Sequence, residues 1–514
     1  MSAILPDPGW PRADGPRLGV AARRRPALPS ILSGPDALLV AALLVLATAL
    51  VTTLPASYGV DSWLELTAGR LIWHTGIPHY ETLTTIAKGR PWIDQQWLAQ
   101  LGSYALYRLG GLGLLGVVNV TMLMTSLGIA VTTARKLGAS VRAVLIPLVL
   151  CGWLLLPATE VRTQAFAFPL FALTVYLLAL DSRSPTRRVY WTLPILVLWA
   201  NLHGSASLGA GLVALRGLTL AWEQRSCLLR SPRCAARAIG LIVGAPLSLL
   251  LTPYGLRSIA YYQSTLGNTA LRHVVTEWQP VTSSMLVAVP FFVVAGLMMW
   301  SFGRSSGRTT LWERIALIAL AAMSIGVIRN VTFFALGALA ILPVSLNAAL
   351  PGTSGAPRSA RRRLNGAAIT LAALFAVVAV VVTLERPAAK LEGVSRDPAM
   401  LAAVENAMRA DPSLRIQADT RYGDWILWQA PWLAGRLASD ARFELYTGSE
   451  LNQLQNLLGA SGPDWKRAAA GDRLLVLDRS ADSDSVTGFL REPGARALDA
   501  GRHAIVILRA APAS

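Results

Sequence analysis

Charge is scarce in this chain of 514 residues, where Asp, Glu, Lys and Arg together make up 15%. A soluble domain carries about a quarter charged residues, so the composition excludes an ordinary water-soluble enzyme. Hydrophobic residues reach 53%, and several apolar runs approach the roughly 20 residues that carry a helix across a bilayer. Cysteine is almost lacking. Cys151, Cys227 and Cys234 fit no zinc spacing, and the latter two fall in a predicted cytoplasmic loop, where disulfides do not persist. Lysine is confined to Lys88, Lys136, Lys390 and Lys466. A phosphate-binding loop, a dinucleotide fingerprint and a tandem repeat are also missing. Those gaps exclude an ATP-driven machine built from this chain alone.

Basic charge is what remains. The formal net charge is +18, a balance that elsewhere points to nucleic acid. Its distribution argues against that partner. Arginines cluster in alternate short loops: Arg23 to Arg25, Arg135 with Lys136, Arg183 with Arg187 and Arg188, Arg225 with Arg230 and Arg233, Arg304 with Arg308, and Arg358 with Arg361 to Arg363. This alternation is the positive-inside pattern of a multi-pass membrane protein. The bilayer is therefore the expected partner, and nucleic acid is not.

The spans predicted from the apolar runs are 36–55, 111–133, 141–158, 165–181, 191–202, 205–222, 237–252, 287–303, 312–328, 332–349 and 366–385. Eleven spans put the N-terminus in the cytoplasm and every arginine cluster on the same side. Residues 1–34, rich in Pro, Gly and Arg, read as a disordered basic cytoplasmic segment and not as a cleavable signal peptide. Residues 35–386 form the transmembrane domain. Its first outer loop, 56–110, ends in an amphipathic helix too short to span. From 387 the composition becomes ordinary. "LRIQAD", "RLLVLD" and "HAIVILR" read as strands, with helical stretches between them. Residues 387–514 are thus expected to form a small extracytoplasmic α/β domain.

Ionisable groups at the ends of apolar spans are costly, about 2.5–3.5 kcal/mol each on insertion scales, and so are functional candidates. They gather on the predicted outer side: Asp61, Glu65, Arg70, His74, His79, Asp94, Glu160, Arg162, His203, Arg272, His273, Glu277 and Arg329. Asp61 and Glu65 are four apart and share a helix face. They can serve as a base with a tuning neighbour. Equally, Asp61 can cap a helix, and Ser62 with Glu65 matches a capping box. Arg162 reads as an exposed loop residue or as a phosphate clamp. His203, in "WANLHG", is a packed histidine or the lining of a broken helix. Arg329 snorkels to the interface or meets an anion. Trp63, Trp73, Trp92, Trp97 and Trp278 are interfacial anchors or stacking platforms. Trp425, Trp428 and Trp432 keep helix-core spacing, which we read as core.

The ordered motifs resemble a family. "GVDSWLELTAGR", "TGIPHYETLT", "GRPWIDQQWLAQ", "VRTQAFAFPLF", "WANLHGSASLG", "TPYG", "EWQP", "RNVTFFAL", "YGDWILWQAP" and "SDARFELY" are similar, in order, to the GT-C superfamily of polyprenyl-phosphate-sugar-dependent membrane glycosyltransferases. More narrowly they resemble uncharacterised bacterial polytopic proteins of GT-C-like architecture. That group shows D-x-D-x-W-W-H-L-x-x-G and then H-E-W-L in the first loop. Here Tyr58 or Gly59 stands at the first Asp, Leu64-Glu65 at Trp-His, and Gln95-Gln96 at His-Glu.

The resemblance implies an integral membrane enzyme. It would move a sugar from a polyprenyl-phosphate donor to a cell-envelope glycan, lipid or protein on the outer face of a bacterial plasma membrane. Asp61 would be the general base, supported by Glu65 or Asp94, while Arg162, His203, Arg329 and Glu277 would form the substrate and phosphate site. No metal ligand set is expected, although a divalent cation is compatible with that chemistry. Two other classes fit the broken helices and intramembrane polar groups. One is a transporter or lipid carrier, and the other is a non-catalytic envelope scaffold that presents the C-terminal segment.

Overall fold

The computed structural model describes residues 36–228, 232–267, 275–304, 306–347, 358–393 and 396–511. Arg272, His273 and the N-terminal 34 residues lie outside these. Helices fill the apolar runs and stop where Gly, Pro or a polar pair interrupts them. In chain order they are α1 (Ala37–Thr52), α2 (Val60–Thr75), α3 (Trp97–Lys136), α4 (Val141–Leu154), α5 (Gln164–Arg183), α6 (Thr192–Leu202) and α7 (Ala206–Glu223). There follow α8 (Pro232–Ser248), α9 (Ser258–Gly267), α10 (Met285–Arg304), α11 (Leu311–Gly326), α12 (Val331–Leu346) and α13 (Arg358–Leu384).

Among the described residues, five helical segments are long and apolar enough to cross a membrane: Trp97–Lys136, Gln164–Arg183, Met285–Arg304, Ile328–Leu346 and Leu364–Leu384. Ala37–Thr52, Val141–Leu154 and Ala235–Ser248 are apolar but shorter. Every residue of α12 is buried, as expected of a helix apolar on all sides. It packs against α3, α4, α5, α10 and α11 as a central post. By contrast α13 exposes Leu371, Leu374, Phe375, Val377 and Val378, a surface suited to hydrocarbon.

The short helix expected at 97–110 forms the first part of α3 and runs on into the following span. The two parts are set apart by a bend, because Gly110 and Gly111 leave helical geometry. Gly111 takes φ 64°, a conformation that only glycine visits cheaply.

The helix ends form two poles. At one, Arg135 meets Asp36 at 2.6 Å and Arg183 meets Glu313 at 2.8 Å. Nearby, fully buried Arg216 donates to Asp181 and Glu223, each at 2.9 Å, and Arg237 also reaches Asp181. At the other pole lie the start of α5, the α6–α7 break at His203 and the α11–α12 turn at Arg329. Arg135, Arg183, Arg216 and Arg237 thus lie at the opposite end of the bundle from the candidate site residues.

The C-terminal part holds α14 (Pro398–Ala410), β1 (Ile416–Ala418), α15 (Thr420–Gln429), α16 (Gly448–Gly459), β2 (Leu474–Asp478), α17 (Ser483–Leu490), β3 (Arg496–Ala500) and β4 (Ala504–Leu508). The sheet order is β1-β2-β4-β3, with β1 parallel to β2 and the other pairs antiparallel. Strands β1, β2 and β4 lie in the three segments read as strands. β3 went unread because its sequence, RALDA, is mostly exposed and not β-branched.

The first outer loop and this C-terminal part share main-chain hydrogen bonds. Thr85 N–H donates to Leu437 O at 2.8 Å, Gly435 N–H to Leu83 O at 2.8 Å, and Ile86 N–H to Ala438 O at 3.1 Å. Arg70 of α2 donates to the carbonyls of Leu427 and Trp428, each at 2.8 Å, at the end of α15. Its guanidinium also sits 4.6 Å from the Trp428 ring centre. Trp425 and Trp428 are buried while Trp432 is half exposed, so the expected core role holds for the first two only.

Candidate active site

A cavity of about 850 Å³ opens at the pole away from Arg135, Arg183, Arg216 and Arg237. Its walls come from the start of α2, the segment 92–100, the loop before α5, the α6–α7 break, the turns at 275–278 and 326–330, and residues 441–444 of the C-terminal part. Asp61, Glu65, Asp94, His203, Glu277 and Arg329 all line it. Arg162 stands just behind that lining and contacts three of its acids. The structure therefore brings all seven sequence candidates to one place.

Arg162 is the hub of an ion cluster. Its Nη1 lies 2.5 Å from Glu277 Oε1, 3.4 Å from Asp61 Oδ2 and 3.7 Å from Glu160 Oε2. The Arg162 side chain is only 7% exposed, against 37% for Asp61. A buried guanidinium surrounded by carboxylates is neutralised and hydrogen-bonded, the condition under which such a charge is tolerated. Glu277 also approaches Arg329, with Oε2 and Nε 3.9 Å apart. Burial would raise the Glu277 carboxyl, but Arg162 and Arg329 outweigh it and hold the group below its usual range. Arg329 Nη2 lies 3.2 Å from His203 Nε2, and the other ring nitrogen accepts from Ser205 N–H at 3.0 Å. Because the chain breaks after Leu202, the imidazole turns out of the helix into this corner.

The start of α2 differs from the capping box expected there. Gly59 is the N-cap and Asp61 lies in the first turn without bonding the helix end. Ser62 Oγ accepts from Gly59 N–H at 3.2 Å and donates to Val161 O at 2.5 Å. Glu65 serves no cap. It is buried, and its oxygens meet Thr163 N–H at 2.6 Å and Thr163 Oγ1 at 2.7 Å. The same hydroxyl meets Gln96 Oε1. One hydroxyl cannot donate to two acceptors, so either the Gln96 amide presents Nε2 to it or Glu65 holds a proton and donates. Burial, with Asp61 adding to it, pushes the Glu65 carboxyl well above its usual range. Asp61 Oδ2 faces Arg162, and Oδ1 makes no hydrogen bond among the described residues. Tertiary partners on the 160–163 loop have thus taken the side chains that sequence spacing assigned to a cap.

Glu160 stood among the outer ionisable groups without an assigned role. It lines the cavity, and burial pushes its carboxyl up to about 7 against the pull of Arg162, with Asp61 and Glu277 adding to the rise. Gly59 makes room for it. A Cβ at position 59 would come within 2.3 Å of Glu160 Oε1.

Asp94 also lines the cavity. Oδ1 accepts from Gln96 N–H at 3.0 Å, which orders the start of α3, while buried Oδ2 has no partner. Burial raises this carboxyl to about 7. Arg442, Phe443 and Glu444 close the wall nearby. Arg442 is 3% exposed and bridges Glu81 and Asp440, lying 2.5 Å from the latter, with its guanidinium 4.2 Å from the Trp92 ring centre. Sequence reasoning missed this wall. Its one signal was the spacing of acids and Arg in "SDARFELY".

Among the described residues, no group of three or more His, Cys, Asp or Glu side chains is arranged to hold a metal ion. Asp61, Glu160 and Glu277 do converge, but on the Arg162 guanidinium, which fills the point a divalent cation would take. The donor set does not fit a metal, and no step is derived through one.

Several solved membrane-protein structures share the fold. ArnT from Cupriavidus metallidurans bound to undecaprenyl phosphate superposes with a TM-score of 0.53 at 14% identity, over 92% of this chain and 98% of that one. Its apo state gives 0.50 at 12% identity over the same shares. The oligosaccharyltransferase of Archaeoglobus fulgidus, tethered to an acceptor peptide containing the NVT sequon, gives 0.51 at 13% identity over 89% and 72%. At these identities the likeness is one of fold. No family model matches the chain, and no curated protein matches it by sequence.

Proposed function

We propose that this chain, whose fold is that of the GT-C membrane glycosyltransferases, is itself a transferase. It would take a sugar from a polyprenyl-phosphate carrier and pass it to a cell-envelope acceptor on the extracytoplasmic face of a bacterial plasma membrane. In this reading the apolar segments supply eleven spans, the N-terminus is cytoplasmic and residues 387–514 form the extracytoplasmic domain. The arginine-rich pole supports that orientation.

One observation carries the reading. Asp61 opens onto the cavity with one oxygen free, while Arg329 and His203 lie beyond Glu277 in the same lining. In the reaction, Asp61 takes the proton of an acceptor hydroxyl as that oxygen attacks the anomeric carbon. A new C–O bond forms, the C–O bond to phosphate breaks, and the polyprenyl phosphate leaves with the electron pair. Arg329 faces the developing phosphate charge, with His203 beside it. Arg162 is engaged by three carboxylates, so its role here is to orient Asp61 and Glu277 rather than to grip phosphate. Glu65 holds the 160–163 loop against α2. No nucleotide takes part, because the donor arrives through the lipid, and the undecaprenyl phosphate bound to ArnT supports a donor of that class.

The test is Asp61→Asn in proteoliposomes loaded with radiolabelled undecaprenyl-phosphate hexose and envelope lipids. Transfer should fall by about 10²- to 10⁴-fold, the usual contribution of a general base, with an unchanged thermal midpoint. A variant that keeps wild-type transfer removes Asp61 from the role. A wild-type protein that moves lipid across the bilayer without breaking the sugar–phosphate bond would instead be a carrier.

A further inference from the structure

Beside the ionic cluster of Asp61, Glu277 and Arg329, the lining of the cavity holds a set of amides. Gln95, Gln100 and Gln164 line it and are 2%, 3% and 1% exposed. Both polar atoms of the Gln95 amide are buried without a hydrogen-bond partner among the described residues, as are Gln100 Oε1 and Gln164 Oε1. Leaving one such group unpaired costs about 1–3 kcal/mol, and three such residues on a single wall are more than packing accounts for. The chain geometry keeps them there. Asp94 fixes the turn before α3, Gln100 follows one helical turn after Gln96, with its N–H on Gln96 O at 2.9 Å, and Gln164 opens α5.

We infer that Gln95, Gln100 and Gln164 form a subsite for the hydroxyl groups of an uncharged hexose carried by the lipid donor. This rests on the transferase reading above and adds the class of sugar. A primary amide offers both donors and acceptors, so a cluster of amides can pair with hydroxyls, which also do both. The amides carry no net charge with which to hold a carboxylate or an ammonium group. Asp94 and Glu444 line the same cavity, and burial raises both carboxyls to about 7, so neither supplies a full counter-charge to an ammonium group. Arg442 is already bridged between Glu81 and Asp440. The sugar would extend from a phosphate beside Arg329 towards the amides within one cavity.

The experiment compares binding of undecaprenyl phosphate, its neutral hexose conjugate and the corresponding uronate and amino-sugar conjugates to the full-length protein in nanodiscs. The neutral hexose should tighten binding about tenfold over bare lipid phosphate, the size of one or two net hydrogen bonds, and the charged sugars should not. Gln95→Leu combined with Gln100→Leu should abolish that increment and leave bare-lipid affinity in place, whereas Arg329→Ala should weaken every probe. Unliganded Gln95→Leu alone should melt at or above the wild-type midpoint, because neither polar atom of that amide has a partner among the described residues. A lowered midpoint means that the amides hold the fold, and it overturns the subsite. So does an increment that survives the double substitution, or a preference for a charged sugar. If even bare lipid phosphate fails to bind, the transferase reading fails, and the subsite falls with it.

Discussion

Asp94 shows how burial turns a carboxylate into a pH-sensitive element. Its folded pKa is raised to about 7 from an ordinary 3.8, so between those values the native state holds a proton that the unfolded chain has lost. The stability this confers is full below about pH 4 and is lost as pH rises through about 7. Asp94→Asn should therefore flatten the fall in thermal midpoint between pH 5 and pH 8, as measured by tryptophan fluorescence in detergent. An unchanged slope would place the titration elsewhere. Single residues were unevenly legible. Asp61, Arg162, His203 and Arg329 stood out because ionisable groups at span ends demand a reason. Gln95, Gln100 and Gln164 gave no such alarm, since amides carry no charge and their isolation is visible only once the walls are assembled. Glu65 misled, because its spacing from Ser62 is equally that of a cap.

At the scale of elements, the hydrophobic pattern located helices well and their junctions less well. The α6–α7 break was legible in Asn201-Leu202-His203-Gly204, whereas the joining of the 97–110 helix to the next span depended on how two glycines bend. α6 has 11 residues and is about 16 Å long, well short of the roughly 30 Å hydrocarbon core. Its end therefore lies inside the molecule, where a broken chain can face a cavity. The α2–α3 crossing depends on Gly69, where a Cβ would lie 2.2 Å from Gln100 O and 2.9 Å from Tyr104 Cβ. Gly69→Ala should destabilise the protein by about 1–3 kcal/mol, the usual cost of overpacking, and shift the segment that carries Gln100. A thermal midpoint equal to wild type would show that the helices can part without cost.

For the molecule as a whole, composition revealed the membrane class, and motif order revealed the fold. Docking of the C-terminal part was not legible, because it uses main-chain bonds at Leu437 and the buried Arg442, neither of which has a periodic signature. Arg442 fastens the outer loop to the C-terminal part through Glu81 and Asp440. Arg442→Met should leave two buried carboxylates without a counter-charge and cost about 3–5 kcal/mol. Limited proteolysis should then cut the C-terminal part faster than in wild type, and equal resistance would assign the docking to the main-chain bonds alone.

The contact between Gly59 and Glu160 makes the size of residue 59 a lever on the site. A Cβ there would stand 2.3 Å from Glu160 Oε1, the free end of a flexible side chain. A small residue at 59 would therefore turn that carboxylate within the lining while the helix backbone keeps its place.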